Sequence, residues 1–473
     1  MSPRHISMLA VLTALLNVPG TAQSLTGRIA ALRDGSATLT YAARPDVCGD
    51  GHNIILRNLE QRGEIIIFTD GGDLITSIGS AQIPVCTTGP VRLRFVVQNH
   101  RVGMIWPSVG RDAPRADVNL GVVSTADAVD WLIGVARTAS EQPASRALLA
   151  AAIADSVRIS TRIFAIARDR SLPTANREQG LKWATRLAPR ESNDTIDEGV
   201  RAIAADESDV PDVRERAIRV VIHPDDDAFL RQLYARVTQM QLKERIIREL
   251  GDSHSNANAD WIMGVARNER ESIELRDRAI RVIGEDLNDV DRLRALFPSL
   301  SHPDLKDRVV RTAAEEGSQA SLQWVAAIAE NASESADIRD RAIRGLGEQG
   351  QTSSLRRIYA RLDVTDLRDR VLRSLGEAGG AENLAFLRQV ALDPNAHSDL
   401  RDRALRTLDE SGLRSEELAR MYDSIDNREL RDRLIRLLAE RGDAASLDKL
   451  RQIVASDPDA DLREQARRKL AQR

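Results

Sequence analysis

The sequence predicts a mainly α-helical protein, built as a stacked array of short helix pairs that follows a small β-rich domain. A heptapeptide, seen as LRDRAIR at 275–281, recurs nine times between Val213 and Arg468 in steps of 29 to 33 residues. That period fits two short helices and two turns. Aromatic residues make up only 3% of the 473 residues, which suits helix pairs that bury surface against their neighbours better than one large core.

Residues 1–22 are predicted to be a signal peptide for export. Arg4 and His5 precede an apolar run at 6–16, and the small residues at 20–22 offer a cleavage site before Gln23. A buried first helix is the alternative. The run is too short to span a bilayer, and no other stretch reaches the roughly 18 apolar residues that a span needs. We therefore expect an exported protein, periplasmic or extracellular, without a membrane span.

Residues 23–123 are predicted to form the β-rich domain. Its β-type runs are bounded by turn signals such as Asp34-Gly35 and Gly89-Pro90. The runs lie at 36–41, 53–56, 64–69 and 91–97.

The only two cysteines of the chain, Cys48 and Cys86, both lie in this domain. In an oxidising compartment such a pair is most simply a disulfide, worth about 3–4 kcal/mol for a loop of about 40 residues. Two free thiols are the alternative. Cys48, Asp50 and His52 also invite a metal-site interpretation, but one His and one carboxylate in a Gly-rich turn match no recognised ligand spacing. The sequence therefore predicts a disulfide, and neither a metal nor a cofactor.

Residues 124–473 are predicted to be the helical array. Degenerate copies of the heptapeptide at 144–150 and 176–182 bring the number of units to about eleven. Long and short units alternate, and their aromatic residues recur at 62 or 63 residues, so the true period is a pair of units. We interpret these aromatics as core wedges between layers rather than a cofactor site. They are Trp261, Trp324 and Phe386 in long units, and Tyr234, Phe297, Tyr359 and Tyr422 in short ones.

The heptapeptide predicts which faces of the second helix of each pair are buried and which are exposed. We number its residues 1 to 7, the residue before it 0, and the three residues after it 8 to 10. At 100° per residue, positions 1, 5, 6 and 9 form one buried stripe. Gly at position 10, as in Gly347, is a natural helix stop. The cation at position 2, such as Arg339, falls inside the buried arc, and we expect the acid at position 0, here Asp337, to pair with it as a structural ladder.

Positions 3, 4 and 7 point away from the stripe. Position 3 is acidic and position 7 is Arg in all nine copies, an i,i+4 pair worth a few tenths of a kcal/mol. Position 4 adds an arginine that the helix itself leaves unpaired. Two interpretations stay open: a solvated charged face, or a surface for an acidic protein partner. The candidate partner-binding residues are Arg216, Arg245, Arg278, Arg308, Arg341, Arg370, Arg403 and Arg433.

The stretch Asp337–Gly347, DIRDRAIRGLG, resembles the second helix of HEAT repeats, in particular the short bacterial variety of phycobilin-lyase-like proteins. The resemblance covers about 350 residues. It implies a HEAT-type α-solenoid of about eleven helix pairs, with second helices along a concave face and a usual role in protein binding or scaffolding.

Composition and missing motifs narrow the function. With 67 basic and 71 acidic side chains the net charge is −4, which argues against a general nucleic-acid binder. HEAT-fold metal hydroxylases use His-Glu dipeptides, and none of the seven histidines here precedes Glu. The P-loop, G-x-S-x-G and H-E-x-x-H motifs are also missing. We expect an exported, non-enzymatic binding or scaffold protein. The alternatives are an enzyme with an unrecognised site and a structural envelope component.

Overall fold

The predicted signal peptide and His52 lie outside the residues that are described in the computed structural model of this chain. Strands occupy the first part of the chain and helices the remainder. The described residues are 24–51, 53–59, 64–69, 72–77, 86–110, 115–221 and 226–472.

Within the described residues, eight strands form two four-stranded sheets, ordered β7-β6-β1-β8 and β2-β3-β4-β5. All neighbours are antiparallel except β1 and β8, which are parallel. The four predicted β-type runs lie in or overlap β1, β3, β4 and β6, and those predictions are confirmed. The strands are β1 (Gly35–Tyr41), β2 (Val47–Gly49), β3 (Ile54–Leu59), β4 (Glu64–Thr69), β5 (Gly72–Ser77), β6 (Val91–Gln98), β7 (Arg101–Ser108) and β8 (Val118–Val122).

The centre of the first sheet follows the alternation of apolar residues. In β1 and β6 every second side chain is buried, and Leu39 lies opposite Leu93. Two strands that the sequence did not predict lie at the edges of this sheet. β7 contains Pro107, which cannot donate a ladder hydrogen bond and is tolerated at an edge, and β8 contains Gly121 at φ 73°. Weak β signals therefore coincide with edge positions.

The predicted disulfide is present. Cys48 and Cys86 are bonded, with their Cα atoms 5.4 Å apart. Cys48 lies within β2 rather than in a loop, and it packs against Ile55 of β3 in a small buried cluster. The bond thus ties the second sheet to the chain that leads into β6. Because Cys48 is bonded to Cys86, it is not a thiolate ligand, and the metal-site interpretation falls.

Helices fill the described residues after β8. After a short α1, α2 to α23 form eleven pairs in which the odd-numbered helix is the second helix. This confirms the predicted mainly α fold of about eleven pairs. A π-helical turn (Val282–Asp286) follows α11 and a 3-10 turn (Phe297–Ser299) follows α12. The helices are α1 (Leu25–Ala30), α2 (Thr125–Thr138), α3 (Glu141–Ala152), α4 (Ser160–Arg168), α5 (Thr174–Glu191), α6 (Thr195–Ala205), α7 (Pro211–Val220), α8 (Asp226–Arg236), α9 (Met240–Asp252), α10 (Asn256–Arg267), α11 (Ile273–Arg281), α12 (Val290–Leu296), α13 (Pro303–Glu316), α14 (Gln319–Glu330), α15 (Ala336–Glu348), α16 (Thr352–Tyr359), α17 (Thr365–Ala378), α18 (Ala381–Leu392), α19 (Ser398–Glu410), α20 (Ser415–Ser424), α21 (Arg428–Arg441), α22 (Ala444–Ser456) and α23 (Ala460–Ala471).

The chain divides into two compact units, one ending at Asp226 and the other beginning at Asp227. In the first unit the sheet packs on the first helix pair. Tyr41 donates a 2.7 Å hydrogen bond from its hydroxyl to the carbonyl of Ala150 in α3, and the rings of Phe95 and Trp131 lie 4.8 Å apart. β8 ends at Val122 and α2 begins at Thr125, and buried side chains of the sheet and of the first helix pair are in contact.

The second unit stacks α8 to α23, and its second helices carry the predicted buried stripe. In α15 positions 1, 5, 6 and 9 are all buried. The prediction that Gly at position 10 stops the helix is wrong, because α15 continues past Gly347 and α17 past Gly376. A Cβ on Gly376 would lie 1.9 Å from the Thr407 side chain, at position 8 of the next second helix. The glycine therefore allows neighbouring second helices to approach each other closely.

Ring pairs join short units to the long units that follow them. The rings meet edge to face, and their centroids are 4.9 to 5.8 Å apart, a favoured geometry for aromatic pairs. This confirms both the alternation and the interpretation of these rings as core wedges. The pairs are Tyr234 with Trp261, Phe297 with Trp324, and Tyr359 with Phe386.

Deletion of residues 279–341 should leave a shorter folded array, because contacts in a stack are between neighbours and the junction restores the sequence LRDRAIR. Circular dichroism should show the helical signal per residue unchanged, with a cooperative melt. Deletion of 279–326, which breaks the repeat register, is the matched control and should lose stability. Loss of helical signal in the in-register variant would contradict the neighbour-only description of the stack.

Candidate binding face

The charged positions 3, 4 and 7 of the second helices in the second unit form a continuous ladder, which we call the second-helix face. Asp340 at position 3 shows the pattern. Its Oδ2 accepts from Arg344 of the same helix at 2.5 Å, and its Oδ1 accepts from Nε of Arg370 in the next second helix at 2.7 Å. One carboxylate thus holds two arginines and ties two units together.

The same arrangement recurs at five successive units. The bond from Nε to Oδ1 measures between 2.5 and 2.8 Å in each. Since the aspartate is shared between a position 7 and a position 4 arginine, each step carries two cations for one anion. The inter-unit pairs are Arg308 with Asp277, Arg341 with Asp307, Arg370 with Asp340, Arg403 with Asp369, and Arg433 with Asp402.

The expectation that the position 4 arginines are unpaired is therefore wrong. A single helix shows only its own i,i+4 partner, whereas stacking brings position 4 of one helix beside position 3 of the preceding helix. Three of the eight candidates depart from the pattern: Arg278 reaches Glu244 at 3.7 Å through Nη2, Arg245 contacts Glu249 of its own helix at 3.3 Å, and Arg216 is half-buried in α7 of the first unit.

The five patterned arginines keep part of each guanidinium free. Their side chains are 18–30% exposed. In the described part of the chain each binds its aspartate through Nε, and no protein acceptor meets its two Nη groups. These Nη groups are the pair of donors that grips a carboxylate in a bidentate contact.

Two open grooves lie along the second-helix face. One, of about 380 Å³, lies between α9, α11 and α13, and the other, of about 750 Å³, lies between α19, α21 and α23. The same repeat positions line both, with the position 0 acids added; Asp304 is 83% exposed and Asp399 is 79% exposed. Charged lining residues are Glu244, Glu274, Asp277, Arg278, Arg281, Asp304 and Arg308 in the first groove, and Asp399, Asp402, Arg428, Glu429, Asp432, Arg433 and Arg436 in the second.

The position 2 cations are structural, as predicted, but their partners differ from the predicted ones. Arg339 is only 3% exposed. Its Nε donates to the carbonyl of Ala329 at 3.0 Å, in the last turn of α14, and its Nη2 binds Asp363 of the following unit at 2.9 Å. Asp337 was the expected partner. The same bond, to a carbonyl ten residues earlier, is made by Arg177, Arg214, Arg276 and Arg401.

In short units the position 2 cation lies over the aromatic ring instead. Cation-to-centroid distances range from 4.6 to 5.7 Å, within the range for cation–π attraction. The two lysines also reach a glutamate in the loop of the next unit, Lys243 to Glu271 at 3.1 Å and Lys306 to Glu334 at 2.9 Å. The stacked pairs are Lys243 with Tyr234, Lys306 with Phe297, Arg368 with Tyr359, and Arg431 with Tyr422.

The ladder stabilises the ionised form of its aspartates. Burial raises the pKa of Asp369, but hydrogen bonds from Arg403 and Arg373 more than offset it, so the pKa lies below the ordinary value for Asp. The pKa of Asp363, the partner of Arg339 at position 2, is also lowered, and the hydrogen bond from Arg339 is the main cause.

The similarities found among known proteins are to solved structures of low sequence identity. This chain matches no protein-family model and no curated protein. It is similar to human deoxyhypusine hydroxylase (15% identity over 60% of this chain and 98% of that chain, TM-score 0.25). It is also similar to the CpcE–CpcF complex of phycocyanin lyase from Nostoc, with 15% identity over 51% of this chain and 93% of that chain and a TM-score of 0.22. A third similar structure is importin beta, with 12% identity over 74% of this chain and 50% of that chain and a TM-score of 0.30.

These neighbours are helical repeat proteins of the HEAT or armadillo type. At such identities and TM-scores they carry no argument about activity, so function has to be argued from the residues of this chain. Within the described ranges, no group of three or more His, Cys, Asp or Glu side chains could hold a metal ion. Among the helices described above, none is long and apolar enough to cross a membrane.

Arg339→Ala should lower the free energy of unfolding by about 1–3 kcal/mol, because the Ala329 carbonyl and Asp363 lose a buried donor. Arg341→Ala is the matched variant at position 4. It removes one half-exposed contact to Asp307 and should cost about 1 kcal/mol or less. Urea unfolding followed by circular dichroism measures both. A larger loss for Arg341→Ala than for Arg339→Ala would contradict the assignment of position 2 as the buried cation.

The contribution of Asp369 to stability should depend on pH. Because the folded pKa lies below the unfolded value of about 3.9, its stabilisation is present above that value and is lost as the pH falls through the folded pKa. The gap in unfolding free energy between wild type and Asp369→Asn should therefore be widest near pH 6 and shrink towards pH 3. Glu429→Gln controls for the loss of an exposed carboxylate on the same face. A gap that grew on acidification would show the opposite pKa shift.

Proposed function

We propose that this chain is an exported, non-enzymatic binding or scaffold protein, and that it contacts a protein partner through the second-helix face. The grooves on that face carry the proposal, because the same repeat positions line both of them. The apolar stripe of each second helix is buried in the stack, whereas the charged positions 0 and 4 recur at successive steps of the face. A surface of this kind suits an extended partner more than a small substrate.

Export is supported by two features of the N-terminal part. The first 22 residues have the composition of a signal peptide, and the bond between Cys48 and Cys86 suits an oxidising compartment. The β domain then acts as a cap on the first helix pair. A stack of repeats needs its end covered, and the contacts of Tyr41 with Ala150 and of Phe95 with Trp131 supply that cover.

Site-specific photo-crosslinking tests the proposal. The chain is expressed with its own N-terminal segment and recovered from the periplasmic fraction, with a photoreactive amino acid at Asp304 or Glu429, both exposed on the second-helix face. The matched control positions are Ala327 and Ala385, exposed on first helices. We expect the same partner to be captured from both second-helix positions and from neither control.

Three results would contradict the proposal. Capture from the first-helix positions alone would place the contact surface on the other side of the helix pairs. Retention of the unprocessed chain in the cytoplasm would contradict the proposal that the protein is exported. Turnover of a small molecule by the purified chain, lost on a substitution in one groove, would favour the enzyme alternative.

A further inference from the structure

We propose that the position 4 arginines of five successive units form a column of carboxylate-binding forks, which takes the acidic side chains of an extended segment of the protein partner. This deepens the proposed function and rests on it. We call these residues the fork column. It comprises Arg308, Arg341, Arg370, Arg403 and Arg433.

The orientation of each fork is fixed by the aspartate behind it. A guanidinium is planar, so a bond at Nε also determines where the two Nη groups point. In Arg341, Nε is bound to Asp307 at 2.6 Å, which leaves the Nη edge for an outside acceptor. The position 3 aspartates are thus positioning residues for the forks. A fork held in this way loses little side-chain entropy when it binds a carboxylate, which favours affinity.

The ladder alone keeps an excess of positive charge, whereas each groove as a whole is lined by four acidic and three basic residues. Each bridging aspartate is shared by two arginines, so every step keeps one positive charge beyond what the ladder itself neutralises. The position 0 acids do not cancel this charge by contact. Among the described residues, Asp304 pairs with His302 at 3.9 Å and Asp399 with His397 at 3.5 Å, and neither acid pairs with an arginine. Both acids are well exposed, where water screens them.

Spacing selects the kind of segment. Packed helices lie about 8–10 Å apart, so successive forks are separated by about that distance. A polyproline II segment advances about 9 Å in three residues and returns to the same side at each third residue. An acidic residue at every third position therefore meets successive forks. A β-strand does not match, because side chains three residues apart point to opposite faces.

The position 7 arginines provide the contrast within the same ladder. Arg344, Arg373 and Arg406 bind their aspartates through Nη2, so the bidentate Nη edge is already in use. They carry the same charge on the same helices as the fork column. Variants at position 7 therefore distinguish binding by oriented forks from general attraction to a basic surface.

Fluorescence anisotropy of a labelled fifteen-residue peptide, five repeats of Glu-Pro-Ala, tests the fork column in the folded mature chain. Wild type should bind it, and the triple variant Arg341→Lys, Arg370→Lys and Arg403→Lys should bind at least tenfold more weakly, since Lys keeps the charge but lacks the fork. The matched triple variant Arg344→Lys, Arg373→Lys and Arg406→Lys should change affinity less than threefold. Thermal melts by circular dichroism verify that both variants are folded.

A second variant separates orientation from net charge. Asp307→Ala, Asp340→Ala and Asp369→Ala together remove three anchors and make the face more positive. Simple electrostatic attraction predicts tighter binding by this variant, whereas oriented forks predict weaker binding. A peptide of the same composition with its glutamates adjacent tests the spacing, and it should bind at least fivefold more weakly than the regular repeat.

The proposal is overturned if wild type does not bind the regular peptide, if the two lysine variants bind it equally well, or if the aspartate variant binds it more tightly. Stronger binding of single-stranded DNA or polyphosphate than of the peptide would also overturn it in favour of a phosphate-bearing ligand. Photo-crosslinking from Asp304 and Glu429 is independent of these outcomes. If it still captures a partner, the proposed function stands while the fork column fails.

Discussion

The close approach of neighbouring second helices is the constraint on which the rest of the array depends. In most second helices a small residue at position 10 faces position 8 of the next second helix, and a Cβ on Gly284 or Gly376 would fall 2.0 or 1.9 Å from a threonine methyl there. Where the backbones come this close, position 3 of one helix lies within hydrogen-bonding distance of position 4 of the next. α19 has Asp409 at position 10 and still keeps its rung, from Asp402 to Arg433 at 2.8 Å, so glycine is not required at every step.

The buried cation at position 2 explains why the array repeats in pairs of units. In most long units a guanidinium ends the first helix by binding a carbonyl of its last turn, as Arg276 does at Ala266. In short units the cation lies on an aromatic ring, as Lys306 does on Phe297. Both arrangements give the buried cation partners that replace the water it loses on burial. They require different loops, so the two unit types alternate and duplication preserved them together.

The charged face has a structural role that neither alternative from the sequence included. Its aspartates tie one unit to the next, so the face is more than a solvated surface. The same ties use Nε of Arg308, Arg341 and their equivalents, and within the described residues they leave the Nη groups without a protein acceptor. The arginine–aspartate bonds that stabilise the stack therefore also fix the arginines that we propose to bind the partner.

The sequence by itself determined the number of helix pairs, the buried stripe, the alternation of unit types, the structural role of position 2 and the pairing of Cys48 with Cys86, because each follows from local periodicity or from composition. Tertiary structure decided the edge strands β7 and β8, whose β signals are weak, and the partners of the charged residues. Arg339 finds Ala329 and Asp363 rather than Asp337, and Arg341 finds Asp307. A repeat period shows which positions are equivalent. Which of them meet depends on the distance and offset between helices from different units, and only the packed stack fixes those.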